Sequence, residues 1–507
     1  MPGKVESELK FTFPPEALAR VRVALGKETS SSRKRRRLVS RYFDTQDGYL
    51  WRHGASLRLR DGGEHRVQTL KHERASALSR DEYEFETKAS TPDLKAFEHT
   101  PFSRLIKKAR VRRELGLQIG VDVSRDVSVI KTARSRIEAA LDSGEILSNC
   151  ASLPFDELEL ELKEGEPTVL FELARRLCED APISLNLISK AERGHLLGDG
   201  AWGRSFKGVR PQIGGRMTCA ETFRLLCHGC LHDFNINMQA LKGPDRVEAI
   251  HQGRVALRRL RAALQLFKLI VKDADYQRLD DELKWISHVF GAARDLDVFQ
   301  EGTFQPASSE GQILGARELA DLTEAERTRA HETLNAAVSS TRLRMLLVDL
   351  IAWIEGGAWL HANEGRSNEK IDSFATPALR KSLRKFLKRS RNFPQLDPKG
   401  QHKVRIRAKK LRYMAGFFKD SPRLVSGPKA LKRLLERLEQ IQDCLGKVHD
   451  DEARAEFLME QVKRLPADAD PVVGFAAGRL AQPAEKVRAR RDKAWSAFRA
   501  VRKSKPF

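Results

Sequence analysis

The sequence predicts an α+β chain whose sheet-rich first part, to about residue 200, closes around a charged lumen and leads into an all-α part over 217–507. Three observations carry this. Short segments such as KVESELKF, SLRLRD, DEYEFET and FDELELELK alternate charged and apolar residues with the period of a strand. Beyond a Gly-rich linker at 201–216, long runs such as RVALRRLRAALQLFKLIV repeat their apolar residues with the period of a helix. That helical part repeats itself: HQGRVALRRLRAALQLF from His251 and HKVRIRAKKLRYMAGFF from His402 align with a shift of 402 − 251 = 151.

In order along the chain, strands are expected at KVESELKF, LVSRYFDT, SLRLRD, HRVQTLKH, DEYEFET, KARVRREL, FDELELELK and NLISKAERG. Helices are expected at PPEALARVRVAL (14–25) and PTVLFELARRLCED (167–180), each with Pro in its first turn. Past the linker, two helical halves, 217–360 and 378–507, flank a loop near 361–377. A weaker echo, GAARDLD from Gly291 and GKVHDDE from Gly446, follows the two copies.

Lys and Arg number 92 against 69 Asp and Glu, a net charge of +23, which favours a polyanionic partner. Six scattered cysteines fit reduced thiols better than a disulfide scaffold. The apolar run MLLVDLIAWI (345–354) is too short to span a bilayer, and no secretory leader is evident at the N-terminus, so a cytoplasmic protein without a membrane partner is expected.

The alternation in the first part recurs from strand to strand. Glu6, Glu8 and Lys10 share one face, as do Arg58 and Arg60, then Glu82, Glu84 and Glu86, then Lys108, Arg110 and Arg112, then Glu157, Glu159 and Glu161. Lys71, Lys190 and Glu192 join them, while Leu57, Leu59, Leu158, Leu160 and Leu162 face the other way. Charged faces that meet inside a closed sheet repel strongly, about 4 kcal/mol for two carboxylates 4 Å apart at an effective dielectric near 20. Such a lumen calls for a cation or for protonation; oxygen-only ligands suit Mg²⁺ or Mn²⁺, and the basic strands could neutralise a chain of phosphates.

ESELK, YFDT (42–45), LRLR (57–60), TLK (69–71), RDEYEFE (80–86), KAR (108–110), ALDSGEI (140–146), ELELELKEG (157–165) and SKAERG (189–194) together resemble the CYTH superfamily, the triphosphate tunnel metalloenzymes. The resemblance covers 1–200. It implies an antiparallel eight-stranded β-barrel tunnel with flanking helices, in which Glu6, Glu8, Glu159 and Glu161 hold the metal; Glu157 shares their face, and the choice among the three β-strand glutamates stays open. Lys10, Arg58, Arg60, Lys71, Arg110, Arg112 and Lys190 would bind phosphate, with Lys108 as the alternative partner of Arg110. Glu82 and Glu84 would orient water, so that Glu6, Glu8, Lys10, Glu82 and Glu84 form the catalytic set. The implied reaction is Mg²⁺- or Mn²⁺-dependent hydrolysis of tripolyphosphate to pyrophosphate and phosphate. A thiamine triphosphatase, a class IV adenylate cyclase and a polyphosphate-binding scaffold with an idle tunnel are the alternatives.

In the helical part His251, Arg254, Arg258 and Arg261 fall on one narrow face, and His402, Arg405, Lys409 and Arg412 repeat it. HxxRVxxRRLR, HxxRIxxKKLRY and RDLDVF (294–299) resemble the CHAD domain over 217–500. This implies two pseudo-symmetric halves that bind long-chain polyphosphate and associate with polyphosphate granules. Cys227, His228, Cys230 and His232 interleave inside an amphipathic run and read as core cysteines and surface histidines rather than a zinc site. No phosphate loop and no specific nucleic-acid module is present.

Overall fold

The computed structural model describes residues 4–29, 34–61, 66–73, 79–307, 314–421, 428–465, 470–481 and 487–503, with side chains left out at a few of these. Two compact units emerge. The first comprises Met1–Lys207, Leu231–Gln252 and Val338–Gly357, the second Gly208–Cys230, Gly253–Ala337 and Ala358–Phe507.

The first unit is built on strands β1 (Lys4–Thr12), β2 (Lys34–Asp44), β3 (Ala55–Asp61), β4 (Arg66–Glu73), β5 (Ser79–Thr87), β6 (Gly116–Lys131), β7 (Ser135–Ser148), β8 (Ala151–Gly165) and β9 (Ser184–Leu185). They form one antiparallel sheet in the order β5-β4-β3-β2-β6-β7-β8-β1-β9, and β1 pairs in addition with β5, Lys4 to Ser7 running against Glu82 to Ser79. The sheet has nine strands where eight were expected, the ninth being the two-residue β9 on the edge of β1.

Helices α1 (Leu18–Glu28), α2 (Ala109–Glu114), α3 (Pro167–Asp180) and α4 (Lys190–Gly198) accompany the sheet; single-turn pieces are left unnumbered. Outward-facing Leu9, Phe11, Ile137, Leu158 and Leu160 are at most 2% exposed. α3 lies on β8 and β1 and packs against α1, so the apolar faces of these two strands are covered by an amphipathic helix. On β3, Leu57 and Leu59 join Leu70, Phe97, Ile106 and Val111 in a second apolar cluster.

Two expected strands are helices. KARVRREL turns into α2 because Val111 is buried and Arg110 pairs with Glu114 at i, i+4, a spacing only a helix brings together. SKAERG becomes α4: the Ser189 hydroxyl accepts the Glu192 N–H, so S-x-x-E is a helix cap and Lys190 and Glu192 do not sit on a strand. The long strands β6 and β7 lie where no strand was expected.

Further along the chain come α5 (Cys219–Ala240), α6 (Arg246–Leu266), α7 (Tyr276–Ala307), α8 (Ala316–Ser339), α9 (Thr341–Gly356), α10 (Ile371–Arg389), α11 (Pro398–Gly416), α12 (Pro428–Lys463), α13 (Pro471–Ala481) and α14 (Val487–Lys503). α9, which carries MLLVDLIAWI, belongs to the first unit and packs on α3, where Arg175 pairs with Asp349. Its apolar run is core, and no helix among the described residues is long and apolar enough to cross a membrane. In the second unit Leu383, Val404, Leu411, Leu438 and Phe498 knit α10, α11, α12 and α14 together. The repeat survives in three dimensions: Leu257, Leu260 and Leu264 on α6 and Ala408, Leu411 and Ala415 on α11 are all at most 2% exposed.

Gly144 shows how tightly β6 and β7 approach. A Cβ there would stand 2.1 Å from the Asp122 carbonyl oxygen and 2.9 Å from the Val123 Cα. Gly144→Ala is expected to cost roughly 3 kcal/mol, because backbone must move; a thermal melt that keeps the wild-type midpoint would contradict this packing.

Candidate functional site

The register gathers the charges. Glu161, Glu159 and Glu157 on β8 stand opposite Glu8, Lys10 and Thr12 on β1, and opposite Glu138, Ala140 and Asp142 on β7. Asp142 in turn faces Arg125 on β6. One face of four neighbouring strands therefore carries a continuous ionic network.

Lys10 Nζ lies 2.9 Å from Glu159 and 3.0 Å from Glu8. Arg125 donates a fork to Asp142 at 2.6 and 2.7 Å and reaches Glu159 at 2.5 Å. Lys190, at the start of α4, lies 2.8 Å from Glu159 and 3.0 Å from Asp142 and also pairs with Glu157. Arg193, one turn on, pairs with Glu157, and the Asn186 amide donates to the same carboxylate at 2.8 Å. Glu157 and Asp142 are fully buried. Burial alone would raise Glu157 and Glu159, yet Arg193 and Lys190 hold Glu157 below its ordinary value, and Lys10, Lys190 and Arg125 hold Glu159 well below it. Burial likewise opposes the charge of Lys190 and Arg125, and the same carboxylates raise both.

The other wall is β2 to β5. Arg58 Nη2 donates to the Thr69 hydroxyl at 3.2 Å, which donates to Glu84 at 3.0 Å; Lys71 lies 3.0 Å from Glu82. Arg58 approaches Glu82 and Glu84 at 3.7 and 3.6 Å, and Arg60 Nε donates to Ser40 at 3.2 Å. Burial, with Arg58 and Arg125 beside it, lowers the Arg60 guanidinium to about 10. Burial raises the Tyr42 phenol, but Arg58, Arg60, Lys190 and Lys71 bring it below its ordinary value. This side holds excess positive charge and suits an anion.

Lys10, Arg58, Arg60, Lys71, Lys190, Glu8, Glu82, Glu84 and Glu159 thus lie on the charged walls. The Glu6 side chain is outside the described residues. Glu161 stands opposite Glu8 and Glu138 and pairs with Lys163 at 2.5 Å. Lys108, Arg110 and Arg112 are exposed around α2: Arg110 binds Asp47 and Glu114, both at 2.9 Å, and Arg112 binds Glu98 at 2.8 Å. Helix formation takes all three away from the strand face they were assigned.

Asp142, Glu157 and Glu159 place carboxylate oxygens within 4.8 Å of one another, a donor set that fits a hard divalent cation. Arg125, Asp142, Asn186 and Arg193 were not singled out from the sequence. Asp142 lies in ALDSGEI, where it is one of two acids, with Glu145, among small and apolar residues. The Cys227, His228, Cys230 and His232 stretch gathers no metal cluster among the described residues; both cysteines are buried, and so is His228, which was expected at the surface.

α5 brackets the segment that carries Asn186 and Lys190. Asn235, 2% exposed, accepts the Leu187 N–H at 3.1 Å and donates to the Leu185 carbonyl at 2.8 Å. His232 Nε2 lies 2.8 Å from Glu192.

In the second unit, residues of the two repeat copies meet. Burial and Arg254 lower Arg258, which hydrogen-bonds Tyr413; burial and Arg261 lower Lys410; burial and Arg259 lower Arg210, with Arg412 adding to the effect. Arg254 pairs with Asp295 at 2.5 Å, Arg261 with Asp280 at 3.4 Å and Arg412 with Glu439 at 3.1 Å. Burial, then Arg405 and Lys409, lower the His402 imidazole. His251 lies on the stretch of α6 that belongs to the first unit.

Residues 4–195 match the CYTH domain and residues 226–459 match the CHAD domain. The chain therefore carries a CYTH domain followed by a CHAD domain. It is 30% identical over 203 residues to an inorganic triphosphatase of Haemophilus influenzae, a match that takes in 38% of this chain and 55% of that protein. The chain thus spans little more than half the length of that relative. Among solved structures it is similar to the CHAD domain from the plant Ricinus communis (27% identity, 57% of this chain, 96% of that one, TM-score 0.48). It is also similar to a Hippeastrum protein assigned as an adenylyl cyclase with a dominant triphosphatase activity (20% identity, 38% and 96%, TM-score 0.29).

The Glu192 and Asp233 carboxylates outweigh burial and raise His232 well above its ordinary 6.5. Its charged form is the stabilising one, so the contribution is complete below the unfolded-state value and fades as pH rises through the folded one. His232→Gln is expected to lower the thermal midpoint at pH 6, by the equivalent of about 2 kcal/mol, and much less at pH 9; an equal loss at both would show that the charge has no part.

Proposed function

We propose that the chain hydrolyses inorganic triphosphate to pyrophosphate and phosphate between the two charged walls of its CYTH domain. The observation that carries this is the division of labour: an acid cluster of Asp142, Glu157 and Glu159 faces a wall on which Arg58, Arg60 and Lys71 leave positive charge in excess. The β1–β5 pairing supports closure of β1 to β8 into an eight-stranded tunnel. The tunnel domain is taken as 1–200, the linker as 201–216 and the CHAD domain as 217–507, with halves 217–360 and 378–507.

Asp142, Glu157 and Glu159 would hold the metal, Mg²⁺ or Mn²⁺, with Glu8 beside them. When bound, that ion supplies Lewis-acid polarisation of phosphoryl oxygens and lowers the pKa of coordinated water. The chain's own groups do the rest. Arg58, Arg60 and Lys71 grip the phosphate oxygens and stabilise charge on the transferring phosphoryl group, and Lys10, Arg125 and Lys190 are close enough to exchange carboxylate for phosphate. Glu82 and Glu84, already hydrogen-bonded to that wall, are placed to orient water. The nucleophile is water rather than a side chain.

The CHAD domain, in this reading, binds long-chain polyphosphate along the duplicated stripes His251, Arg254, Arg258, Arg261 and His402, Arg405, Lys409, Arg412, and places a cytoplasmic enzyme on polyphosphate granules. No membrane and no specific nucleic acid is required.

Release of phosphate from tripolyphosphate with Mg²⁺ tests the tunnel. Glu159→Gln is expected to lose roughly 100-fold or more in kcat, whereas Arg110→Ala, outside the walls, stays within about threefold of wild type. An inactive wild type, or a fully active Glu159→Gln, overturns the reading. A polyanion relieves the repulsion that lowers His402, so polyphosphate binding takes up a proton and tightens as pH falls from 8 towards 6. Calorimetry in buffers of different ionisation enthalpy measures that uptake; its survival in His402→Gln would exclude this histidine.

A further inference from the structure

A cavity of about 920 Å³ opens in the second unit, walled by α10, α11 and the single turn Lys268–Val271. Eight of its twenty lining residues are Lys or Arg, and Glu369 is the single carboxylate among them. Their spacing is regular. Lys381, Lys385 and Arg389 stand at i, i+4 and i+8 on α10, and Lys403, Arg407 and Lys410 form a second ridge on α11. Elsewhere this chain pairs its cations freely, yet among the described residues Lys381, Lys385, Arg389, Lys403 and Arg407 form no salt bridge. Unpaired cations crowded along two facing ridges repel one another, and a bound polyanion removes that repulsion.

The floor between the ridges is apolar. Leu269 and Ile406 are 54% and 38% exposed, among the largest hydrophobic side chains the chain shows to solvent, and Phe374 and Met414 continue the surface. The groove is separate from the duplicated stripe: Lys403 follows His402 by one residue, about 100° around the helix. Inorganic polyphosphate has no apolar surface with which to cover Leu269 and Ile406.

We propose that this groove binds a small amphiphilic polyanion of the nucleoside polyphosphate class, its phosphates between the two basic ridges and its base and sugar on Leu269, Phe374, Ile406 and Met414. The volume falls in the range of small-molecule sites, and its concavity suits such a ligand better than a flat lipid surface does.

Binding of ATP and of inorganic tripolyphosphate to the full chain, in EDTA to prevent turnover, tests this by calorimetry. Lys385→Glu with Arg407→Glu is expected to weaken ATP binding about tenfold or more. Leu269→Ser with Ile406→Ser is expected to weaken ATP by roughly fivefold while leaving tripolyphosphate unchanged. All four side chains are exposed, and unchanged thermal midpoints exclude misfolding. ATP affinity at the wild-type level in both double variants overturns the proposal, as does a loss confined to the charge variant, which makes the groove a reader of charge alone. Tripolyphosphate hydrolysis stays at the wild-type level in both variants. A wild type that hydrolyses none removes the tunnel reading and leaves this one standing.

Discussion

Everything in the first unit depends on burying like charges beside their opposites. Asp142 and Glu157 have no access to solvent, and Glu159 has little; no sheet holds three such groups within 4.8 Å unless cations share the space. Lys10, Arg125, Lys190 and Arg193 are those cations. They come from β1, β6 and α4, so three elements distant in sequence are drawn to one point. The apolar outer faces of the same strands bring α1 and α3 onto the sheet, and the inner faces then have only each other.

This arrangement also stores the capacity for exchange. In the proposed function, a lysine or arginine that holds a carboxylate would come within reach of a phosphate oxygen if a divalent cation took over that carboxylate. The cost of desolvating both ions is met in folding, before ligand arrives. Asn235 and His232 on α5 hold the backbone and side chains around Leu185, Leu187 and Glu192, so a helix that enters the CHAD match also supports the segment that carries Asn186 and Lys190.

Much of this was legible from residue spacing. Glu8 and Lys10, Arg58 and Arg60, and Glu157, Glu159 and Glu161 repeat at period two, and a strand has only one way to present them. β6 and β7 were passed over because each contributes a single ionic side chain to the cluster, Arg125 and Asp142, and one charge makes no pattern. Lys108, Arg110 and Arg112 also alternate, but five residues fit either period, and the Glu114 that completes the helical pairing lies outside the triplet. Glu157 and Glu161 are equivalent in sequence. They separate only when register sets Glu157 against Asp142, within reach of Lys190 and Arg193 of α4, and sets Glu161 against Glu138, beside Lys163. The assignment of α9 to the first unit was beyond reach, since a buried apolar helix carries no label for the surface it covers.

The central claim is that metal and phosphate displace the protein's own ion pairs together. Calorimetric titration of Mn²⁺ into the full chain, with and without a non-hydrolysable imido analogue of tripolyphosphate, measures it directly. The account requires weak Mn²⁺ binding alone and binding about tenfold or more tighter with the analogue, a coupling that Glu159→Gln abolishes. Equal Mn²⁺ affinity in the presence and absence of the analogue would contradict it.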